Sequence, residues 1–132
     1  MEMSKETPVG PSKDTMEVGR KLVELCKKGD NMKAVETLYS PDIESIEAMQ
    51  MPGMGKEKGL EAAIKKNRMW MDENEVNSMS VEGPFPLGDR FAVHYKYDTT
   101  NRKSKERMKM EEVALYQVKN GKIVKEEFFY TM

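Results

Sequence analysis

The stretch that decides the fold is Glu111-Glu-Val-Ala-Leu-Tyr-Gln-Val-Lys-Asn-Gly-Lys-Ile-Val-Lys-Glu-Glu-Phe-Phe-Tyr130, near the end of the sequence. Apolar and polar residues alternate on both sides of Asn120-Gly121, as they do in half-buried strands. Asn-Gly is the dipeptide best suited to a two-residue turn in which both central residues have φ > 0. The stretch therefore predicts a β-hairpin, with strands at about 106–118 and 123–130.

Two more strands are predicted immediately upstream of the hairpin. Residues 76–82 alternate between apolar and polar types until Gly83-Pro-Phe-Pro-Leu-Gly88, whose breakers predict the end of that strand. Residues 89–99 place four apolar or aromatic side chains, beginning with Phe91, on one face, while His94 lies on the other. Together with the hairpin, these strands predict a meander in the second half of the chain.

Two helices joined by a short turn are predicted near the start of the sequence. Asp14 and Glu17 resemble a capping box, and they predict a helix over about 15–28. Asp30 predicts the cap of a second helix, which Pro41 would stop. These two helices are expected to form a helical hairpin.

A strand, a loop and a third helix are predicted between the helical hairpin and the meander. Residues 42–49 alternate, residues 51–55 are rich in breakers, and residues 56–72 keep a period of three to four. Residues 1–13 are predicted to be a disordered tail, so the single folded domain spans 14–132. The order predicts an α+β domain, with three helices on one side of a curved, mostly antiparallel sheet.

The composition excludes several classes of function. Charged residues make up 34% of the 132, but the net charge is only −1, so neither a nucleic-acid partner nor an anionic membrane is predicted. One histidine and one cysteine cannot build a closed zinc site, and no metal is expected. No apolar run approaches the roughly 18 residues of a membrane span, and we expect a cytoplasmic protein.

Four local motifs follow one another in an order that resembles a known superfamily. They are Gly29-Asp30, Leu38-Tyr-Ser-Pro-Asp42, Gly88-Asp-Arg-Phe-Ala-Val-His94 and Ala114-Leu-Tyr-Gln-Val-Lys-Asn-Gly-Lys-Ile-Val124. Their order and spacing, over about residues 15–130, resemble the nuclear-transport-factor-2-like superfamily. Within it, the chain is similar to the SnoaL-like proteins, relatives of polyketide cyclases and ketosteroid isomerases.

The resemblance implies a cone-shaped fold in which a strongly bent sheet wraps a long helix and leaves an apolar pocket at its wide end. It also implies a homodimer formed through the outer face of the sheet, and chemistry without a metal or organic cofactor. In such enzymes a carboxylate or histidine moves a proton opposite donors that stabilise an enolate-like oxyanion.

Three residues are candidates for the proton-transfer group. Glu47 falls at the position that matches the isomerase base, with a solvated strand glutamate as the alternative. Glu112 shares a mostly apolar strand face with Met110 and Ala114, where an acid is out of place unless it is paired or functional. His94 is the only side chain that ordinarily titrates near neutral pH, and a strand histidine acts in related SnoaL-like enzymes.

Five further residues are candidate ligand contacts: Trp70, Met110, Tyr116, Glu127 and Tyr130. Trp70 would roof the cavity, although core packing explains it equally well. Tyr130 would donate to a bound carbonyl, or else lie in a dimer interface. Either Glu126 or Glu127 must face inward or into an interface, and the alternation does not decide which; Glu127 is taken as the candidate.

The expected function follows from the resemblance and from acids on apolar strand faces. The protein is expected to bind a compact apolar molecule with a carbonyl group, with cofactor-free proton transfer of the isomerase, cyclase or dehydratase type. The positions that match the isomerase oxyanion donors fall near Leu22 and Ala114, which are both apolar, so that donor pair is not predicted. The alternative is a non-catalytic ligand-binding or dimerisation module on the same fold.

Overall fold

In the computed structural model of the protein, residues 12–51 and 54–131 are described, except for the side chains of 49–51, 54 and 55. The helices are α1 (Lys13–Lys27), α2 (Asn31–Leu38) and α3 (Leu60–Glu73). The strands are β1 (Tyr39–Met51), β2 (Met54–Lys58), β3 (Asn74–Leu87), β4 (Arg90–Asn101), β5 (Arg107–Lys119) and β6 (Lys122–Phe129).

The six strands form one curved, open sheet in the order β2-β1-β6-β5-β4-β3. β1 and β6 run parallel, and every other pair of neighbours is antiparallel. The helices pack on one face of this sheet, with α1 against β3, β4 and β5 and α3 against β1, β2 and β3. The predicted α+β fold class is thereby confirmed.

Helix α1 begins earlier than the sequence pattern predicted. Its N-cap is Ser12, whose Oγ accepts a hydrogen bond from the backbone N–H of Thr15 at 3.2 Å. The predicted capping box is therefore wrong, and Asp14 lies inside the first turn, where its charge favours the positive end of the helix dipole. The buried side of the helix includes Val18 and Leu22, which lie four residues apart and so share one face.

Strand β2 was not predicted, since its residues were assigned to a loop and to the start of the third helix. Met54–Lys58 has no apolar alternation, and what holds it is backbone pairing with β1, in which Glu44 lies opposite Lys58. The Lys56 ammonium lies 3.3 Å from the Glu44 carboxylate on the same pair of strands. Gly59 then turns the chain with φ +101, and α3 begins at Leu60.

Strand β3 continues through the segment that was predicted to end it. The register with β4 shifts between Glu82 and Phe85, so a bulge absorbs the irregularity around the cis Gly83–Pro84 bond. A proline is tolerated there because β3 is the edge strand of the sheet. At φ +137, a Cβ on Gly83 would lie 3.0 Å from the carbonyl oxygen of Ala92, so the bulge requires glycine.

The closing hairpin is present as predicted, but it contains a bulge. Asn120 and Gly121 both have positive φ, +53 and +77, as the turn chemistry requires. The register between β5 and β6 then shifts by one residue, so that Val118 pairs with Ile123 but Gln117 pairs with Lys125. This shift is what brings Ile123 and Glu126 to the same buried face, although they are three residues apart.

The core lies between the helices and the concave face of the sheet, and Ile123 is one of its fully buried side chains. We expect Ile123→Ala to lower the free energy of unfolding by about 2–5 kcal/mol, because it leaves a cavity in close-packed surroundings. Urea denaturation of both proteins measures this change. Leu87→Ala removes a side chain that is 68% exposed and should cost within about 0.5 kcal/mol. Equal costs for the two variants would contradict this assignment of the core.

Candidate functional site

A cavity of about 390 Å³ opens between the concave face of the sheet and the helices. Its lining is mostly apolar and aromatic, and it includes the only tryptophan and all five tyrosines of the chain. The apolar and aromatic lining residues are Leu22, Cys26, Ala34, Val35, Tyr39, Trp70, Tyr95, Tyr97, Met110, Tyr116, Phe128 and Tyr130. A volume of this size suits a compact organic molecule.

Strand alternation brings acidic residues into this apolar setting. Tyr39, Ile43, Ser45 and Glu47 share the inner face of β1. Glu112 reaches the cavity from β5 in the same way. The polar lining consists of Asn31, Glu47, Glu57, Lys66, Asn67, Glu112 and Glu126.

Glu126 lies at the most buried part of the lining, with only 1% of its surface exposed. One carboxylate oxygen accepts a short hydrogen bond from the Tyr39 hydroxyl, and the other accepts one from Ser45 Oγ at 2.8 Å. Burial raises the pKa of Glu126, and the charge of Lys66 and these two donors only partly offset that effect. Both donors come from β1, so the acid joins β6 to its parallel neighbour.

Lys66 extends the polar network from the sheet to α3. Its Nζ donates to Ser45 Oγ at 2.7 Å and to Glu47 Oε1 at 2.6 Å, and it lies 4.7 Å from the centre of the Phe128 ring. The hydroxyl of Tyr130 donates to the other oxygen of Glu47 at 3.0 Å. A continuous chain of hydrogen bonds therefore runs from the buried Glu126 to Tyr130.

The carboxyl of Glu112 has a pKa raised toward neutral pH. Burial, then the negative charges of Glu47 and Glu126, raise its pKa to about 7, against the opposing charge of Lys66 and a hydrogen bond from Tyr97. A carboxyl with this pKa can both accept and return a proton at physiological pH. This is the main chemical capability of the cavity.

The tyrosines on β4 and β5 form a rigid aromatic wall. The hydroxyls of Tyr95 and Tyr116 lie 2.7 Å apart, and the ring of Tyr97 stacks on that of Tyr95 at 5.7 Å between centres. Trp70 packs against Tyr97 at 5.6 Å, with the ring planes tilted by 55°. Burial raises the pKa of the nearby Cys26 thiol to about 11, so this thiol is not a nucleophile at neutral pH.

The structure brings together six of the eight residues proposed from the sequence: Glu47, Trp70, Met110, Glu112, Tyr116 and Tyr130 all line the cavity. The candidate choice of Glu127 needs correction, because the β6 bulge directs the neighbouring Glu126 inward. His94 is on the outer face of the sheet, where its Nε2 lies 2.5 Å from Glu111, so it does not reach the cavity.

Sequence reasoning missed several residues that the cavity uses, above all Lys66. Lysine side chains mostly lie exposed, yet that of Lys66 is only 25% exposed. Its spacing from Ala63 and Trp70 places it on the inward side of α3, which is the signal that could have found it. Tyr39 and Ser45 could only have been found by knowing that a buried acid lies opposite them.

Comparison with known proteins gives a consistent assignment. A family model described as a SnoaL-like domain matches residues 14–130. The chain belongs to this SnoaL-like family. A solved structure from Mesorhizobium loti, provisionally named a SnoaL-like polyketide cyclase and also a carbohydrate phosphatase, is 45% identical. It has a TM-score of 0.82, and the match covers 87% of this chain and 97% of that one. The comparison with curated proteins finds no match.

More distant relatives of this SnoaL-like chain show the same fold. An NTF2-like protein from Burkholderia thailandensis is 17% identical, with a TM-score of 0.75 and coverage of 91% of this chain and 92% of that one. A provisionally named isomerase from Rhodopseudomonas palustris is 15% identical, with a TM-score of 0.66 and coverage of 89% and 88%. These matches support the nuclear-transport-factor-2-like fold and assign no reaction.

Two further observations bear on the nature of the SnoaL-like domain. Among the residues that the structure describes, no group of three or more histidine, cysteine or acidic side chains could hold a metal ion. Within the same ranges, no helix is long and apolar enough to cross a membrane.

The raised pKa of Glu112 makes stability depend on pH in a defined direction. Between its ordinary value of 4.5 and about 7, the folded protein holds a proton that the unfolded chain releases, so stability from this group falls as the pH rises. We expect Glu112→Gln to leave stability nearly unchanged at pH 5. At pH 8 the variant should be more stable than the wild type by up to about 3 kcal/mol.

Urea denaturation of both proteins at pH 5 and pH 8 tests this expectation. Glu106→Gln, at an exposed position of the same chain, is the matched control and should show no such difference between the two pH values. A stabilisation by Glu112→Gln that is the same at both pH values would show that Glu112 does not titrate abnormally.

Proposed function

We propose that this SnoaL-like protein binds a compact, mostly apolar molecule with a carbonyl group in the cavity and moves a proton next to that carbonyl. The reaction class is that of an isomerase, cyclase or dehydratase working without a cofactor. The observation that carries the proposal is the carboxyl of Glu112, which is half-buried in an aromatic cavity and has a pKa raised to about 7. The provisional name of the 45% identical relative agrees with this class.

Glu112 is the proposed proton carrier. Its neighbour Glu47 is less suited, because its two oxygens are already engaged by Lys66 and Tyr130. The apolar walls keep water away from a bound ligand and so favour proton transfer to and from Glu112. The Tyr97 hydroxyl lies beside this carboxyl and favours its ionised form.

Stabilisation of the oxyanion must come from groups other than those of the isomerases. The matching positions fall near Leu22 and Ala114, and neither side chain can donate a hydrogen bond. Lys66 is the cationic side chain in the described lining. We infer that its ammonium group faces the carbonyl oxygen of the ligand.

The proton-transfer proposal is tested by exchange of the hydrogen atoms on the carbon next to a ketone carbonyl for deuterium. 2-Tetralone and similar cyclic ketones of about twelve heavy atoms would be incubated with the protein in heavy water, and loss of the proton signal next to the carbonyl would be followed by NMR. Catalysed exchange is expected with the wild type, and Glu112→Gln should slow it by about 10²-fold or more, as for loss of a general base. Glu111→Gln changes the adjacent acid on the outer face and should exchange at the wild-type rate.

The alternative function, a non-catalytic ligand-binding module, gives a different result in the same experiment. The ketones would then change the fluorescence of Trp70, the only tryptophan and a lining residue, without exchange above the buffer rate. Glu112→Gln would in that case leave the exchange rate unchanged.

We further propose that the outer face of the sheet forms a homodimer, as the family resemblance implies. Val113 and Phe129 pair across β5 and β6 on this face, and they are 39% and 49% exposed. Phe85, 58% exposed, lies nearby in the row of Ala92 and extends the apolar patch. A second copy of the chain would bury this patch in a self-complementary interface.

Placing a charge in this patch should separate the two copies. Val113→Lys is expected to reduce the molecular mass in sedimentation equilibrium from that of two chains to that of one, because an unpaired ammonium is costly to bury. Met69→Lys, at an exposed apolar position on α3, is the control and should leave the mass unchanged. A wild-type protein with the mass of a single chain would rule out the homodimer.

A further inference from the structure

The cavity contains more negative than positive groups. Four glutamates line it, and Lys66 is the one lysine or arginine in the described lining. The Lys66 ammonium is already bound to Glu47 at 2.6 Å and to Ser45 at 2.7 Å. Of the other two inner acids, Glu126 accepts hydrogen bonds from the hydroxyls of Tyr39 and Ser45, and neither Glu126 nor Glu112 makes an ion pair with a described residue. If both ionise, the inner cavity holds two carboxylates without a cation of their own.

Aromatic ring faces surround these acids. The five tyrosines, the tryptophan and Phe128 make seven of the ten aromatic residues in the chain, and all seven line the cavity. Trp70 and Tyr97 meet at a tilt of 55° beside Glu112, a geometry that offers two differently oriented rings to one bound group. One cation already uses a ring here, since the Lys66 ammonium lies 4.7 Å from the centre of Phe128.

Carboxylates and aromatic rings favour the same kind of ligand group. The face of an aromatic ring attracts cations, and clusters of such rings recognise methylated and quaternary ammonium ions. A buried carboxylate is stabilised by a nearby opposite charge, which a positively charged ligand would supply. A negatively charged ligand would meet repulsion from the same acids unless they were protonated.

We propose that the ligand carries a positively charged ammonium group, held against Trp70 and Tyr97 in the field of Glu112 and Glu126. This inference rests on the proposed function and narrows its ligand class to compact amino ketones and related amine-bearing carbonyl compounds. The ammonium group favours the ionised form of Glu112, which is the form that accepts a proton from the ligand. A positive charge near the carbonyl also makes the adjacent C–H bond more acidic. This effect favours proton removal in a chain whose positions matching the isomerase oxyanion donors are apolar.

The binding of a cation should be linked to the release of protons. Glu112 is the group with a pKa of about 7, and a bound cation favours its ionised form. The charged or titratable groups that line the cavity around it are Glu47 on β1, Glu57 on β2, Lys66 on α3, Tyr95 and Tyr97 on β4, Tyr116 on β5, Glu126 on β6, Tyr39, Cys26 and Tyr130. Affinity for a cation should therefore rise with pH and level off above neutrality.

A pair of matched probes tests the proposal. Phenyltrimethylammonium keeps its charge at every pH, and tert-butylbenzene has the same shape without the charge. Binding of each would be measured from Trp70 fluorescence at pH 6, 7 and 8, at constant ionic strength in sodium chloride. At pH 8 we expect the ammonium compound to bind roughly tenfold more tightly than its neutral isostere. Below pH 7 the affinity for the ammonium compound should decrease as the pH falls, with a limiting slope of about tenfold per pH unit. The affinity for tert-butylbenzene should stay constant.

Variants separate a built site from general attraction to an acidic protein. Glu112→Gln should weaken binding of phenyltrimethylammonium and remove most of its pH dependence, without weakening that of tert-butylbenzene. Glu111→Gln makes the same change of charge on the opposite face of the sheet and should bind both probes as the wild type does. Tyr97→Phe keeps the ring and should retain binding of the ammonium compound, whereas Tyr97→Leu should lose it.

The possible failures point to different conclusions. Equal affinities of the two probes at every pH would overturn the ammonium proposal, and ketone exchange could still support proton transfer. Equal weakening by Glu111→Gln and Glu112→Gln would also overturn it, because attraction would then be to the whole protein. Selective binding of the ammonium compound without hydrogen exchange in the ketones would support a positively charged ligand and refute catalysed proton transfer.

Discussion

The cavity depends on how the protein buries the carboxyl of Glu126. Removing an acid from water is tolerable only when its oxygens find partners, and here both are satisfied by hydroxyls of Tyr39 and Ser45. Both hydroxyls come from β1, and the parallel register of β1 and β6 places Ser45 directly opposite Glu126. The one parallel junction of the sheet is thus also the place where the buried acid is satisfied.

Lys66 connects this hydrogen-bond network to the third helix, α3. Among the described residues of α3, only Ala63 is fully buried, while Leu60 and Ile64 are partly buried against the core. The hydrogen bonds from Lys66 to Ser45 and Glu47 add a polar attachment between α3 and β1, which an apolar interface would not provide. The same helix carries Trp70 over the cavity. The position of the aromatic ring therefore depends on the polar network below it.

The sequence could predict the fold and the inner faces of the regular strands, because alternation of two residues decides both. That is why Glu112 and Tyr116 on β5 were placed on one face, and both line the cavity, whereas Glu47 on β1 was chosen from the family resemblance. The β6 bulge defeated the same reasoning for Glu126 and Glu127, since one extra residue exchanges the two faces. Strand β2 is held by backbone pairing with β1 and has no apolar alternation, so the sequence pattern could not predict it. His94 was proposed for its chemistry, whereas its place in the alternation put it on the outer face.

The acids outside the cavity have basic side chains as partners, and this contrast supports a ligand for the acids inside. On β4 and β5, Asp98 binds the Arg107 guanidinium at 2.8 Å, and hydrogen bonds from Arg107 lower its pKa to about 2. Glu111 pairs with His94 on the outer face. Glu112 is the next residue of the same strand. It is half-buried and makes no ion pair with a described residue, and its pKa moves in the opposite direction. A glutamine there would avoid that cost at neutral pH. A cavity that existed only for packing would gain from the neutral side chain, so the unbalanced acid is better explained by a bound positive group or a moving proton.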